Sequence, residues 1–73
     1  MLMVYITDGK RHLICWPYSK KNLHKMANKL NIKRCWFHHD HYDIPKKRIN
    51  DIEMQCLHLT SKQIVRIING ELD

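Results

Sequence analysis

Short apolar segments separated by polar turns characterise the first part of the chain. Residues 3–6 are strand formers, and the Asp8-Gly9 pair that follows them is typical of a tight turn, because glycine adopts positive φ without a Cβ clash. Residues 11–16 form a second apolar segment, which Pro17 ends. This pattern predicts two strands that pair as a hairpin.

A helical periodicity begins after Ser19. Apolar side chains recur at the i, i+3, i+4 and i+7 spacing of one helix face, at Leu23, Met26, Ala27 and Leu30. The opposite face carries four lysines, which are Lys20, Lys21, Lys25 and Lys29. Ser19 is the predicted N-cap of this first helix, and Asn31 is a suitable residue for its C-terminal end.

The middle of the chain predicts a strand, a turn and a second helix. The apolar residues within 34–38 indicate a third strand, with Trp36 and Phe37 on opposite faces. Residues 38–43 are polar and are predicted to form a turn. Asp43 then caps a second helix whose first turn contains a proline, at a position where the missing N–H costs nothing.

The last part of the chain predicts a strand and a third helix. Residues 57–59 are short enough for an edge or buried strand, and Thr60 with Gln63 forms a capping box that opens the helix. The pair Asn69-Gly70 marks its frayed end. The apolar surface of this helix is predicted to consist of Ile64, Val65, Ile67, Ile68 and Leu72.

The predicted elements therefore follow the order β-β-α-β-α-β-α. Such alternation is typical of an α/β fold, here a short mixed sheet of three or four strands packed with three helices. The 73 residues allow one domain, which we assign to residues 1–73. A chain of this size has a thin core and little room for a deep cofactor cavity.

The charge is strongly positive and unevenly distributed. The net charge is +6, and residues 1–34 hold eight basic residues against one acid, Asp8. A one-sided positive field attracts anionic partners, among which nucleic acids and nucleotides are the first candidates, although a lysine-rich helix can also be only a solvated surface. No run of about 18 apolar residues and no signal-peptide pattern occurs, so we expect a cytoplasmic protein with no membrane partner.

The three cysteines are spaced too widely and are too few for a disulfide scaffold. Cys15, Cys35 and Cys56 are odd in number, form no CxxC pair, and each lies within an apolar run. We therefore expect three buried free thiols in a reducing compartment.

Histidines are the most conspicuous candidates for chemistry. Six occur in the chain, and those near residue 40 lie among aspartates. Imidazole and carboxylate groups bind zinc, manganese or iron, so this segment, with His38, His39, His41, Asp40 and Asp43, is a candidate site for a divalent metal. The spacing matches no established metal signature, and a solvated polar turn explains it equally.

A phosphate site is the second chemical possibility. Lys46, Lys47 and Arg48 follow the predicted start of the second helix, where unpaired N–H groups attract anions. Arg48 offers a bidentate fork to phosphate oxygens, and His41 a further hydrogen bond. We expect Tyr42, which lies between polar residues, to belong to such a site rather than to the core.

Several segments together resemble a small domain of unknown function found in bacteria and their phages. They are residues 12–14, 19–24, 30–34 and 36–37, the sequence His41-Tyr42-Asp43-Ile44-Pro45 with Arg48, and residues 59–62. The chain departs from the pattern in a shorter segment before His12 and in Gln55-Cys56, where Gly-Ala is usual. The resemblance implies a fold and a polar site at Asp8, His12, His24, His41, Tyr42, Asp43 and Arg48. The small size and the lysine-rich composition suit a phage gene, which would place the protein in the cytoplasm of a bacterial host.

These observations favour a small, phage-encoded, non-enzymatic protein that binds a phosphate-bearing ligand, either a nucleotide signal or a nucleic acid. Such a protein would sequester its ligand or interfere with a host process, and a nucleotide site would call for a homodimer. Its candidate ligand-binding residues are His12, His24, His41, Tyr42, Asp43, Lys47 and Arg48.

Two alternatives stay open at this point. One is a small metal-dependent hydrolase or nuclease, in which His12, His41 and Asp43 would be both the catalytic residues and the ligands of a divalent metal. Without that metal, no cofactor and no catalytic residue is assigned. The other is a protein–protein inhibitor whose basic surface docks on a host protein.

Overall fold

The computed structural model describes residues 2–71. This part of the chain contains ten short elements, which are five strands, three α-helices and two 3-10 turns. The sheet is built from β1 (Val4–Thr7), β2 (His12–Trp16), β3 (Phe37–His38), β4 (His41–Asp43) and β5 (Leu57–His58). The α-helices are α1 (Lys20–Leu30), α2 (Ile49–Glu53) and α3 (Ser61–Ile68), and two 3-10 turns span Arg34–Trp36 and Lys46–Arg48.

The five strands form one mixed sheet in the order β3-β4-β2-β1-β5. β5 is parallel to β1, and the other neighbouring strands are antiparallel. The predicted small α/β domain with a mixed sheet and three helices is confirmed, whereas the sheet has five strands instead of the predicted three or four. The additional strand is β4, which occupies part of the segment predicted as a polar turn.

The register of the sheet decides which side chains meet. Because paired residues share a face and neighbours along a strand alternate, Leu13 and Tyr42 lie on one face, and His12 and Asp43 lie on the other. α1 packs on the first face, where His24 reaches the hydroxyl of Tyr42. α3 lies along the second face: Ser61 at its start contacts Asp8, and its C-terminal end lines an open cleft with Trp16, Pro17 and Tyr18.

The core fills the space between the sheet and the helices. α1 contributes the four apolar residues that its periodicity predicted, and β1, β2 and β4 contribute the inward residues of their strands. The buried apolar side chains are those of Ile6, Leu13, Ile14, Cys15, Leu23, Met26, Ala27, Leu30, Ile32, Tyr42, Ile44, Ile52 and Ile64.

The helix ends follow the local sequence signals closely. The Ser19 side chain accepts a hydrogen bond from the Asn22 N–H, and Asn31 ends α1 in the left-handed conformation with φ of 59°. The predicted capping box between Thr60 and Gln63 is confirmed at the start of α3. Leu72, predicted to belong to this helix surface, lies outside the described residues.

The boundaries predicted between residues 8 and 48 need three corrections. The first hairpin is confirmed, but its connection covers four residues, because both Gly9 and Arg11 take positive φ and the second strand begins at His12. Residues 34–36 form a 3-10 turn, so Trp36 is not a strand residue opposite Phe37. Asp43 is a strand residue and caps no helix, since α2 begins only at Ile49.

The cysteines differ in their surroundings, although all three are free. Cys15 is buried and Cys56 is half-buried, and burial raises the pKa of each thiol to about 11. Cys35 is exposed, so the expectation that all three are buried is wrong at this position. It lies in the 3-10 turn, where no strand buries it.

Within residues 2–71, no helix has the combination of length and apolar character needed to cross a lipid bilayer.

Candidate functional site

Strand pairing brings two histidines and an aspartate together on the α3 side of the sheet. His12 on β2 is the cross-strand partner of Asp43 on β4, and His41 lies two residues before Asp43 and therefore on the same face. One potential metal-ligating atom of each residue lies within 4.8 Å of those of the other two. The rings of His12 and His41 meet edge to face, with centroids 5.0 Å apart. We refer to these three residues as the His-His-Asp cluster.

A buried carboxylate orients the imidazole of His12. Nδ1 of His12 lies 2.6 Å from Oδ2 of Asp8, whose side chain is only 1 % exposed. Burial alone would raise the pKa of Asp8, but hydrogen bonds from Ser61, His12 and the Lys10 N–H lower it to about 2. An ionised carboxylate only accepts hydrogen bonds, so Nδ1 of His12 carries the proton and Nε2 keeps its lone pair when the ring is neutral.

A second carboxylate holds His41 in a comparable way. Nδ1 of His41 lies 2.8 Å from Oδ1 of Asp40, and Nε2 lies 3.3 Å from Oδ1 of Asp43. Bonds of about 2.0–2.1 Å at tetrahedral angles place two ligands of a zinc ion about 3.3 Å apart, so the separation of Nε2 and Oδ1 suits a shared ion. Each imidazole of the cluster thus has a carboxylate on Nδ1, which is the usual outer partner of a metal-binding histidine.

The β3–β4 turn positions Asp40 beside His41. The strands are joined by two residues, His39 with φ of 64° and Asp40, and the Asp40 N–H donates to the carbonyl of His38 at 2.6 Å. The tight turn keeps the Asp40 carboxylate next to the first residue of β4. His38 pairs with His41 across this hairpin, with ring centroids 5.4 Å apart, and its side chain is exposed.

Asp40 and Ser61 were not predicted in the roles that they have here, which are to hold His41 and Asp8. Asp40 follows from its position next to His41, so a local signal existed. The Ser61 hydroxyl donates to Oδ2 of Asp8 at 2.6 Å, across 53 positions in the chain, and no local pattern indicates this contact. Ser61 and His12 both bond to Asp8, so this serine is not a nucleophile activated by the histidine.

His24 and Tyr42 lie on the opposite face of the sheet from the cluster. Tyr42 is 1 % exposed and belongs to the core, which contradicts its predicted exposure in a polar site. Its hydroxyl and Nδ1 of His24 lie 2.7 Å apart, and the His24 ring packs on Phe37 with centroids 4.8 Å apart. Burial, and then the charges of Arg34 and Lys20, lower the pKa of His24.

Arg48 closes the C-terminal end of α1. Its guanidinium donates to the carbonyls of Leu30 at 2.8 Å and Asn31 at 3.3 Å, and it forms a fork with the carboxylate of Asp51. Lys47 precedes it as an exposed residue of the 3-10 turn. Lys47 and Arg48 were predicted to lie in the first turn of a helix, where backbone N–H groups bind anions. They instead lie before α2, which begins at Ile49 and has only five residues.

The seven residues predicted to bind one ligand therefore form separate groups. His12, His41 and Asp43 converge, and His24 and Tyr42 lie behind the sheet. Arg48 binds the end of α1, and Lys47 is exposed in the 3-10 turn before α2. Only the first group combines exposed donor atoms with a geometry suited to an ion. It is the candidate functional site of the protein.

Comparisons with known proteins identify the family of this chain. No curated protein and no solved structure gives a significant match. A family model described as "Protein of unknown function (DUF4031)" matches residues 8–70, a range that includes every residue of the candidate site. The match carries no information on the source, so phage origin stays a prediction. Since the match covers most of the sequence, the chain belongs to the DUF4031 family.

Proposed function

We propose that the His-His-Asp cluster binds one divalent transition-metal ion and that the protein hydrolyses a phosphate ester there. The observation that supports this proposal is the convergence of three ligand atoms, with both imidazoles held through Nδ1 by carboxylates. Three protein ligands leave at least one coordination position open for water or substrate. This arrangement is typical of catalytic rather than structural metal sites.

The donor set favours a transition metal over magnesium or calcium. Two imidazole nitrogens and one carboxylate oxygen suit zinc, and the same set with open positions suits iron(II), whereas magnesium and calcium prefer oxygen ligands only. Zinc is the first ion to test, because the 3.3 Å separation of His41 Nε2 and Asp43 Oδ1 agrees with tetrahedral geometry.

Each residue around the cluster has a defined part in this chemistry. Asp8 holds the proton on Nδ1 of His12, and Asp40 does the same for His41, so that Nε2 of each ring would be available to bind an ion. A zinc ion held there would lower the pKa of a bound water to about 7 and so supply a nucleophile at neutral pH. The net charge of +6 favours a phosphate-bearing substrate over a neutral one.

Binding of a phosphate-bearing ligand without hydrolysis is the second candidate function. The side chains of His12 and Asp43 are 44 % and 40 % exposed, so the site gives a substrate little shelter from water. An open site of this kind can bind a phosphate oxygen through the metal and release it unchanged.

Metal titration of the full chain tests the metal site directly. After removal of metals with a chelator, calorimetric titration with Zn²⁺ is expected to give one site per chain. His12→Gln should remove this binding, and Asp8→Asn should weaken it about 10–100-fold, because His12 loses its orienting carboxylate. The matched control is His58→Gln, which alters an exposed histidine of β5 outside the cluster and should bind zinc as the unaltered protein does.

Hydrolysis is measured separately with bis(4-nitrophenyl) phosphate. We expect turnover that requires the added metal and that His12→Gln abolishes. Zinc binding without turnover would reject hydrolysis and support binding of a phosphate-bearing ligand as the function. Zinc binding that is equal in His12→Gln and His58→Gln would reject the cluster as the site.

A further inference from the structure

The exposed side of α1 carries only positive charge. Lys20, Lys21, Lys25 and Lys29 are exposed there, and α1 contains no acidic residue. We refer to these four residues as the lysine face. The acid-free stretch extends well beyond the helix, from residue 9 to residue 39, and Lys33 and Arg34 add two further exposed positive charges after α1.

Among residues 2–71, no carboxylate forms an ion pair with the lysine face. The ion pairs found among residues 2–71 join His12 to Asp8, His41 to Asp40 and Asp43, and Arg48 to Asp51, and none involves a lysine. His24 lies at the edge of the lysine face, and its pKa is lowered mainly by burial. The positive charges of Arg34 and Lys20 lower this pKa further. The positive field of this surface is therefore open to an external anion.

We propose that the lysine face binds the sugar–phosphate backbone of a nucleic acid. Lys21, Lys25 and Lys29 are four residues apart, so they rise along the helix axis in steps of about 6 Å and span about 12 Å. Duplex DNA presents one negative charge per about 1.7 Å of its axis, so this length of helix faces several phosphates at once. Release of their counterions drives binding of this kind.

The composition of the surface favours a nucleic acid over the other anionic partners. Every apolar residue of α1 is buried against the sheet, so nothing on the lysine face can insert into a lipid surface. Protein interfaces are rich in aromatic residues and poor in lysine at their centres, unlike this surface. The exposed positions of α1 also contain no aromatic residue to stack on bases, so the binding should not depend on sequence.

The lysine face is distinct from the His-His-Asp cluster. α1 packs on the face of the sheet that carries Tyr42, whereas His12 and Asp43 point to the other face. Nucleic-acid binding and metal binding can therefore be lost separately. This inference goes beyond the proposed function and does not rest on it.

The test compares two double variants of the full chain that change the same net charge. Lys21→Gln/Lys25→Gln alters the lysine face, and Lys46→Gln/Lys62→Gln alters exposed lysines elsewhere. Binding of a fluorescent 20-base-pair DNA duplex is measured by anisotropy from low to physiological salt in the presence of a chelator. Glutamine preserves helix propensity, and circular dichroism verifies that both variants are folded.

We expect the unaltered protein to bind the duplex with an affinity that falls steeply with salt. Lys21→Gln/Lys25→Gln should bind at least 10-fold more weakly at low salt, and the slope of log K against log salt should decrease by about 1 for each lysine removed. Lys46→Gln/Lys62→Gln should keep the original slope. Equal losses in both variants would reject the lysine face, as would absence of DNA binding or binding of anionic vesicles in its place.

Discussion

Asp8 is the residue on which the candidate site depends most. Its carboxylate is withdrawn from water, yet it stays ionised because the Ser61 hydroxyl, the His12 ring and the Lys10 N–H all donate to it. A buried charge is stable only with such a set of partners. The contacts also join three separate parts of the chain, which are the end of β1, the start of β2 and the start of α3.

The pH dependence of stability should report the ionisation of Asp8. The pKa of the Asp8 carboxyl is about 2 in the folded protein, against an ordinary value of 3.8 for an unperturbed aspartate. Ionisation of Asp8 therefore stabilises the fold fully above about pH 4. This stabilisation is lost as the pH falls through 4 towards 2 and amounts to about 2 kcal/mol. Urea unfolding between pH 5 and pH 2 should show this loss in the unaltered protein but not in Asp8→Asn.

Glu71→Gln serves as the control for that measurement, because Glu71 is exposed near the end of the described residues. This variant should lose the same free energy of unfolding on acidification as the unaltered protein. A pH profile of Asp8→Asn that is parallel to that of the unaltered protein would contradict the proposed role of the Asp8 charge.

At the scale of elements, α1 is stabilised by caps at both ends. Ser19 satisfies an N–H at its start, and at its end the guanidinium of Arg48 binds two carbonyl oxygens that the helix itself leaves unpaired. A positive charge at this position also interacts favourably with the helix dipole. The contacts tie the 3-10 turn before α2 to α1, which accounts for Arg48 without any ligand.

Arg48→Ala should therefore destabilise the fold by about 1–2 kcal/mol without changing zinc binding. The variant leaves the carbonyls of Leu30 and Asn31 without a protein partner and removes the fork to Asp51. Urea unfolding at pH 7 measures the loss, and Lys46→Ala, an exposed neighbour in the same turn, should change stability by less than about 0.5 kcal/mol. Unchanged stability in Arg48→Ala together with lost ligand binding would instead indicate a ligand contact.

At the scale of the whole molecule, the site exists because β2 lies beside β4 in the sheet. This pairing brings His12 within reach of Asp43, although 31 positions separate them in the sequence. The chain between these strands forms α1, the first 3-10 turn and β3, and it returns antiparallel to β2. The same sheet also separates the His-His-Asp cluster from the lysine face, so the two proposed activities occupy opposite sides of a small domain.

A metal that bridges β2 and β4 should stabilise the entire domain. At a zinc concentration 100 times the dissociation constant, the free energy of unfolding should rise by about 2.7 kcal/mol, provided that the unfolded chain does not bind the ion. For a chain of this length the melting temperature should increase by about 10 °C or more, and a chelator should reverse the change. His12→Gln should show no such increase, in contrast to His58→Gln.

The elements that could be predicted were those with local signals. α1 and α3 have apolar periodicity over two or more turns and capping residues at their starts, and each begins at the predicted position. β4 was missed because it has three residues, two of them polar. Its alternation of outward His41, inward Tyr42 and outward Asp43 is too short to be distinguished from a turn.

The sequence identified residues of the site correctly, but it did not predict which of them lie together. His12, His41 and Asp43 were candidates because of their chemistry and of the family resemblance, and His24, Tyr42 and Arg48 were grouped with them although the fold places these three elsewhere. Which polar residues share a face depends on strand register, and register depends on long-range pairing.

The positive charge, the helices with their caps, the first hairpin and the residue types capable of binding a metal can all be read from the amino-acid sequence. These properties depend on composition or on neighbours within a few positions. The contacts by which Ser61 and Asp8 orient His12, and the pairing of His12 with Asp43, depend instead on the folded arrangement of the chain. The physical reason is that such contacts form between segments whose proximity is set by packing around a common core, which no local pattern encodes.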